Sequence, residues 1–60
     1  MKYIIYPTQL QNGDMVNDHE SGWLTVKTVQ KLSRTFVEVN FTNGKQKTYF
    51  SGDKVDAIRG

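Results

Sequence analysis

The pair Asn43-Gly44 constrains the fold of this chain more than any other feature of the sequence. It separates two segments, 34–42 and 45–50, in which apolar and polar residues alternate. Asn-Gly accepts a positive φ at both central positions of a type I′ turn, which joins antiparallel strands through a two-residue loop. We therefore predict a β-hairpin with one apolar face. On its first strand that face consists of Val37, Val39 and Phe41.

A two-residue loop also determines which side chains of the second strand face the core, because side chains alternate along a strand. In this register Thr48 and Phe50 join the apolar face. The residues predicted to face solvent on the second strand are Lys45, Lys47 and Tyr49. Phe36 on the first strand would then be a cross-strand neighbour of Tyr49.

The segment before the hairpin has apolar residues at helical spacing, at Val26, Val29 and Leu32. It is rich in valine and threonine, whose branched side chains favour strands over helices. We predict a long strand over 23–31, with a bulge near Lys27-Thr28 where the inward-facing phase switches. The polar segment 31–34 then closes a second hairpin.

Shorter elements complete an all-β pattern. Residues 13–16 and 54–59 are predicted strands, 17–22 a polar loop and 51–53 a tight turn. Residues 1–7 are predicted to form an additional edge strand that ends at Pro7. Because 60 residues are too few for a two-sheet sandwich, we expect a single domain over 1–60 that forms a small barrel.

The pattern over residues 12–59 resembles the small SH3-like barrels, which include Tudor-like and KOW-like modules and many short bacterial and phage proteins. The resemblance is carried by Gly13-Asp14-x-Val16, Trp23, Val26 and Val29, Val37-x-Val39-x-Phe41-x-Asn43-Gly44, Phe50 and Asp53-x-Val55. It implies a five-stranded SH3-like barrel, to which the strand at 1–7 is added. A fold of this kind implies no particular ligand.

Nothing in the sequence indicates catalysis. The chain has no cysteine, one histidine (His19, in a polar loop) and no glycine-rich phosphate-binding motif. One enzyme with a similar barrel, the plasmid-borne trimethoprim-resistant dihydrofolate reductase, assembles its site from several copies. The segment Thr48-Tyr49-Phe50 lies near that family's pore motif but does not match it. We expect a binding protein without a cofactor or metal.

Basic and aromatic residues on and beside the second hairpin indicate nucleic-acid binding at low sequence specificity. Aromatic rings stack on bases, and lysine and arginine neutralise phosphates. The predicted site residues are Lys27, Lys31, Arg34, Phe36, Lys45, Lys47 and Tyr49. Cross-strand stabilisation by the aromatic residues and protection of sheet edges by lysine would explain the same residues without a ligand.

The alternative is a protein-interaction module, such as a phage-type modulator of a host protein. It would bind through an aromatic surface formed by Tyr3, Tyr6 and Trp23, or through the N-terminal strand, which is also a candidate homodimer contact. The formal net charge of +2 is compatible with either ligand. No segment has the length of apolar sequence needed for a membrane span, so we expect no membrane partner and a cytoplasmic location.

Overall fold

Residues 1–59 are described by a computed structural model, in which six β-strands form one antiparallel sheet. The strands are β1 (Lys2–Ile5), β2 (Met15–Asp18), β3 (Gly22–Lys31), β4 (Phe36–Phe41), β5 (Gln46–Phe50) and β6 (Val55–Ile58). A turn of 3₁₀ helix, Pro7–Gln9, follows β1. The order across the sheet is β1-β6-β2-β3-β4-β5. The all-β prediction is confirmed.

A bulge divides β3 into two parts. The register between β3 and β4 shifts between Val26 and Thr28, so Lys27 is the extra residue. The part before the bulge pairs with β2 and the part after it pairs with β4. Because one residue is added, Val26 and Val29 both face the core although they are three positions apart. The predicted bulge is therefore confirmed.

The inner face of the sheet carries the core. Val37 and Val39 are fully buried at its centre, and the 3₁₀ turn covers one end of the core with Pro7. The other buried apolar side chains are Leu10, Val16, Leu24, Val26, Phe41, Val55 and Ala57. Branched residues on a pleated surface pack closely against one another, which explains how a core of mostly valine holds together.

The hairpin at Asn43-Gly44 forms, but its predicted register is wrong by one residue. Asn40 lies opposite Gln46, and the N–H of Phe41 donates to the C=O of Lys45, which leaves a three-residue loop. Gly44 alone has a positive φ, +87°, as in a type I turn followed by a bulge. The additional loop residue reverses the faces of β5.

The remaining elements follow the sequence closely. β1 pairs with β6 at one edge of the sheet, as predicted for the N-terminal segment. β2 extends through Asn17 and Asp18, which the prediction placed in a loop, because both pair with the start of β3. The turn after β5 is also as predicted: the N–H of Asp53 donates to the C=O of Phe50.

The sheet is open along one seam. Within residues 1–59 no ladder of backbone hydrogen bonds joins β5 to β6 or to β1, and β1 and β5 are its two edges. Across the seam β5 meets the end of β2 through side chains. No helix described in residues 1–59 is long and apolar enough to cross a membrane.

Candidate functional site

The two lysines predicted to bind nucleic acid from the second hairpin strand contact the protein itself. Lys47 Nζ donates to Asp18 Oδ1 at 3.0 Å, and Lys45 Nζ donates to the hydroxyl of Ser21. The Asp18 carboxylate raises the pKa of Lys47, and Lys47 lowers the pKa of Asp18 in turn. Lys47 lies on the inner side of the sheet, opposite Val39, rather than on the outer face. Lys47 therefore links β5 to the end of β2, and Lys45, just before β5, contacts the loop that follows β2.

Tyr49 is on the inner side as well, which corrects its predicted position. It lies opposite Val37 and packs against the core, because the longer hairpin loop shifts β5 by one residue. Its hydroxyl is buried and has no hydrogen-bond partner among the described residues. Burial raises the pKa of Tyr49, and Lys47 opposes that shift. Tyr49 is therefore not available for stacking on the outer face of the hairpin.

Phe50 takes the outer position that was predicted for Tyr49. It lies opposite Phe36, and the two ring centroids are 5.2 Å apart with an interplanar angle of 36°. Phe36 is 40% exposed and Phe50 is 55% exposed. Leu32 joins them, since its N–H donates to the C=O of Phe36 at 3.0 Å and its side chain is half exposed. These three residues, Leu32, Phe36 and Phe50, are called the aromatic patch.

The other predicted basic residues belong to β3 and the loop that follows it. Lys31 ends β3 opposite Val37, so its side chain leaves the strand on the inner side, whereas Arg34 lies in the loop before Phe36; both are exposed. Ser51 fixes this loop, because its hydroxyl donates to the C=O of Arg34. Lys27 is exposed at the bulge of the same strand. In this arm, formed by β3, β4 and their loop, no acidic residue occurs between positions 21 and 37, and Glu38 lies on the outer face of β4.

The structure thus separates the predicted nucleic-acid residues into two groups. Lys27, Lys31, Arg34 and Phe36 belong to the β3–β4 arm. Lys45, Lys47 and Tyr49 belong to the seam between β5 and β2. The prediction that Lys47 and Tyr49 share the outer face of the hairpin with Phe36 is wrong.

The alternative set does not form one groove either. Tyr3 lies opposite Ala57 on the inner side of β1, with the Arg59 guanidinium 5.6 Å from its ring centroid. Trp23 is on the opposite, outer face, where it is paired with Asn17. Tyr6 follows β1, with Lys54 Nζ 5.4 Å from its ring centroid. An aromatic groove built from these three residues is therefore ruled out.

Trp23 instead joins apolar residues that the sequence did not single out. Met15 lies opposite both Ile58 on β6 and Thr25 on β3, so it shares the outer face with Trp23 and Ile58. Ile4 on β1 belongs to the same face and is 65% exposed. These four residues, Ile4, Met15, Trp23 and Ile58, are called the apolar strip. It covers the half of the sheet that the aromatic patch does not.

A buried ion pair fastens the two ends of the chain's main fold. Arg59 Nε donates to Asp14 Oδ1 at 2.9 Å, and Arg59 Nη2 donates to Asp14 Oδ2 at 2.8 Å. The same carboxylate accepts the N–H of Gln11 at 2.8 Å, and it is 2% exposed. The hydrogen bonds from Arg59 lower the pKa of Asp14. This carboxylate is committed to structure and is not a candidate catalytic group.

A cleft of about 280 Å³ lies at the open seam. It is bounded by Lys47 and Tyr49 on one side and by His19, Asp53 and Asp56 on the other. Lysine and aspartate side chains both line it, so it selects neither anions nor cations. Within the described part of the chain, no three His, Cys, Asp or Glu side chains meet as a metal site requires.

Comparisons with known proteins add no relative. No family model, curated protein or solved structure matches the chain.

Proposed function

We propose that this chain is a small SH3-like barrel that binds single-stranded nucleic acid with low sequence specificity. The aromatic patch would stack on bases, and Lys31 and Arg34 would contact phosphates. The observation that carries the proposal is the exposed contact between Phe36 and Phe50, with ring centroids 5.2 Å apart, beside a loop that carries Arg34 and no acidic residue. A protein that binds this ligand would act in the cytoplasm.

Strand order supports the barrel part of the proposal. The strands β2 to β6 have the order β6-β2-β3-β4-β5, in which the first and last strands of the unit are neighbours, as in an SH3-like barrel. β3 is bent at its bulge and belongs to both halves of the sheet. The side-chain contacts at Lys47 and Lys45 would close the unit where backbone pairing is missing.

Exposure of the two phenylalanines supports the ligand. Aromatic side chains are normally buried, because removing their large apolar area from water stabilises the fold. Phe36 and Phe50 instead leave about half of their surface to solvent. Stacking on a nucleobase contributes about 1–3 kcal/mol per base and works with any base. A single strand offers such faces, whereas a duplex keeps its bases stacked.

Low specificity follows from the polar neighbours of the aromatic patch. Thr48 and Gln30 are exposed on the same face, and Glu38 lies between them opposite both. None of these side chains is fixed in a buried pocket, as reading the edge of a base would require. Phosphate contacts from the β3–β4 arm would then supply most of the affinity.

The test is fluorescence anisotropy of labelled single-stranded and duplex oligonucleotides at two salt concentrations. Replacing both rings, with Phe36→Leu and Phe50→Leu, should weaken single-strand binding about tenfold or more, the equivalent of one lost stacked base. Lys31→Gln with Arg34→Gln should reduce the dependence of log K on log salt by about 1.4, or 0.7 per phosphate. Trp23→Leu, on the other outer surface, is the matched control.

Two outcomes would contradict the proposal. The first is the absence of binding to single strands at low salt. The second is binding that the leucine pair leaves unchanged, or that Trp23→Leu weakens as much as the leucine pair does.

A second candidate function, protein interaction, rests on the apolar strip. Met15 and Trp23 are more than one-third exposed, and Ile4 is exposed more than either. Exposed large apolar side chains on one face of a sheet are typical of protein contacts. A short modulator of another protein would bind in this way. Such binding would depend little on salt and would be lost in Trp23→Leu.

A further inference from the structure

The outer edge of β1 has backbone groups available for another strand. Met1 and Arg59 exchange two hydrogen bonds, since the Met1 amine donates to the C=O of Arg59 and the N–H of Arg59 donates to the C=O of Met1. Bonded and non-bonded pairs alternate along an antiparallel ladder. From the register, Tyr3 and Ile5 therefore bond to β6, while the N–H and C=O of Lys2 and Ile4 point away from it.

We propose that two copies of this chain pair through β1, antiparallel and in a single register. Lys2 would lie opposite the partner's Ile4, and Ile4 opposite the partner's Lys2. In that register all four outward groups of each strand are used, which gives four hydrogen bonds between the subunits. A shift by two residues would leave half of the groups unpaired. The contact is two-fold symmetric, so each copy presents the same surface.

The side chains of β1 fit this register. On the outer face, Ile4 would lie beside the methylene stem of the partner's Lys2, which shields it while the ammonium stays in water. No like charges are directly opposite, and Asp56 lies beside Ile4 on the neighbouring strand. On the inner side Tyr3, 36% exposed, would face the partner's Tyr3 at a non-hydrogen-bonded pair, where side chains are closest.

In a monomer, β1 leaves apolar side chains exposed to solvent. Three of its four residues are exposed, and only Ile5 is partly buried. Natural edge strands are protected by bulges, prolines and charges. β1 contains neither a bulge nor a proline, and its one charged residue, Lys2, is at its first position, which leaves Ile4 unprotected. A second copy would cover the edge and would join the two apolar strips into one surface.

The other edge is less suitable. By the same alternation, Gln46, Thr48 and Phe50 of β5 point their backbone groups outward, but the C=O of Phe50 already accepts the N–H of Asp53. Lys47 and Lys45 also hold β5 against the end of β2 and its following loop. This difference makes Thr48 a matched control position for Ile4.

The test is sedimentation velocity on synthetic protein, from micromolar to millimolar concentration. A methyl group on the amide nitrogen of Ile4 removes an outward donor and blocks the edge without touching the β1–β6 ladder. We expect the unmodified protein to dimerise weakly, the Ile4-methylated protein to stay monomeric, and a protein methylated at the Thr48 nitrogen to dimerise like the unmodified one.

Amide hydrogen exchange of the unmodified protein is a second test, which does not require the methylated chain to fold. In the unmodified protein the amide hydrogens of Lys2 and Ile4 should exchange more slowly as concentration rises, and that of Thr48 should not. A monomer at millimolar concentration, a dimer that survives methylation at Ile4, or a dimer lost by methylation at Thr48 would each overturn the proposal. Oligonucleotide binding through the aromatic patch does not depend on the result.

Discussion

Two joints, one along β2 and one at its end, hold the sheet together by different means. At the joint with β6, Met15 and Val16 pair through the backbone, and the bidentate contact between Asp14 and Arg59 is buried beside them. At the seam with β5 there is no backbone ladder, and single contacts from Lys47 and Lys45 make the link. The first joint combines main-chain pairing with an ion pair whose carboxylate is buried, and the second depends on lysine side chains.

The comparison predicts where the fold is strong. A charge-assisted, bidentate contact is roughly twice as strong as a neutral hydrogen bond, and burial protects it from salt. Lys47 is 46% exposed, so its attraction to Asp18 is screened and has to compensate for the lost freedom of a long side chain. We expect the molecule to open first at the seam between β5 and β2.

The largest effect is expected at the joint with β6. Asp14→Ala would leave Arg59 and the N–H of Gln11 without their shared acceptor, which should lower the free energy of unfolding by about 2–3 kcal/mol. Urea unfolding followed by tryptophan fluorescence measures the change. Asp53→Ala, at an exposed turn, is the control and should cost far less. Equal losses in the two variants would show that the Asp14 contact is not special.

The second effect is a loss of stability in acid. The pKa values of Asp14 and Asp18 lie below the ordinary value of 3.8, because Arg59 and Lys47 donate hydrogen bonds to their charged forms. The folded protein therefore binds fewer protons than the unfolded one. The stabilisation is complete above about pH 5 and is lost as the pH falls through 3.8 toward the lower, folded values.

Urea unfolding at a series of pH values would compare the two carboxylates directly. Asp14→Asn should reduce the pH dependence of the free energy of unfolding below about pH 5 more than Asp18→Asn does, because Asp14 is the more buried and makes the bidentate contact. The reverse order would mean that the seam, and not the joint with β6, carries the stronger ion pair.

A smaller effect is expected at the hairpin turn that positions β5. Gly44 has a φ of +87°, which a residue with a Cβ adopts at a cost of about 1–2 kcal/mol. Gly44→Ala should destabilise the protein by that amount, whereas Gly52→Ala, at a turn where a Cβ meets no neighbour, should cost less. Thermal unfolding of both variants makes the comparison. An unchanged melting temperature in Gly44→Ala would argue against the three-residue loop.

The smallest effect is expected at Lys47. Lys47→Met keeps an apolar stem and removes the charge, so it should cost at most about 1 kcal/mol, and less at high salt. Lys27→Met, at the exposed bulge, is the control. If Lys47→Met lowered the free energy of unfolding by more than about 2 kcal/mol and salt did not reduce that loss, the two joints would be equally strong.

The strands and the bulge followed from local patterns in the sequence. Alternating residues in β4 and the branched residues of β3 predict extended structure without any knowledge of the partner strand. The bulge was also predictable, because Val26 and Val29 cannot both face inward along a regular strand. These features depend on residues close together in the chain.

The face of β5 was not predictable in the same way. Asn-Gly suits both a two-residue loop and a three-residue loop, and the two differ by one position in register. Residues 47–50 have an aromatic side chain on each face, Tyr49 on one and Phe50 on the other, so apolarity did not decide between them. The deciding contact, Lys47 with Asp18, joins residues 29 positions apart. The aromatic patch was missed for that reason.

The fold class was thus more accessible than the binding surfaces. Phe36 was correctly placed on the outer face, but its partner was not, and the ion pair of Asp14 with Arg59 spans 45 positions that no local pattern connects. The binding surfaces combine side chains from strands that are far apart in the sequence. An error of one residue in the predicted register of a strand therefore assigns all of its side chains to the wrong face.

The bulge at Lys27 holds one residue that the pairing of β3 with β4 does not need. Val26 lies opposite Phe41 and Thr28 opposite Asn40, so a chain without Lys27 could form a regular strand in which Val26 and Val29, then two positions apart, still face the core. Such a deletion would remove the bend at which β3 passes from β2 to β4 and would leave every inward side chain in place. In a scan of single-residue deletions along β3, loss of Lys27 should therefore be tolerated better than loss of a residue in either regular part of the strand.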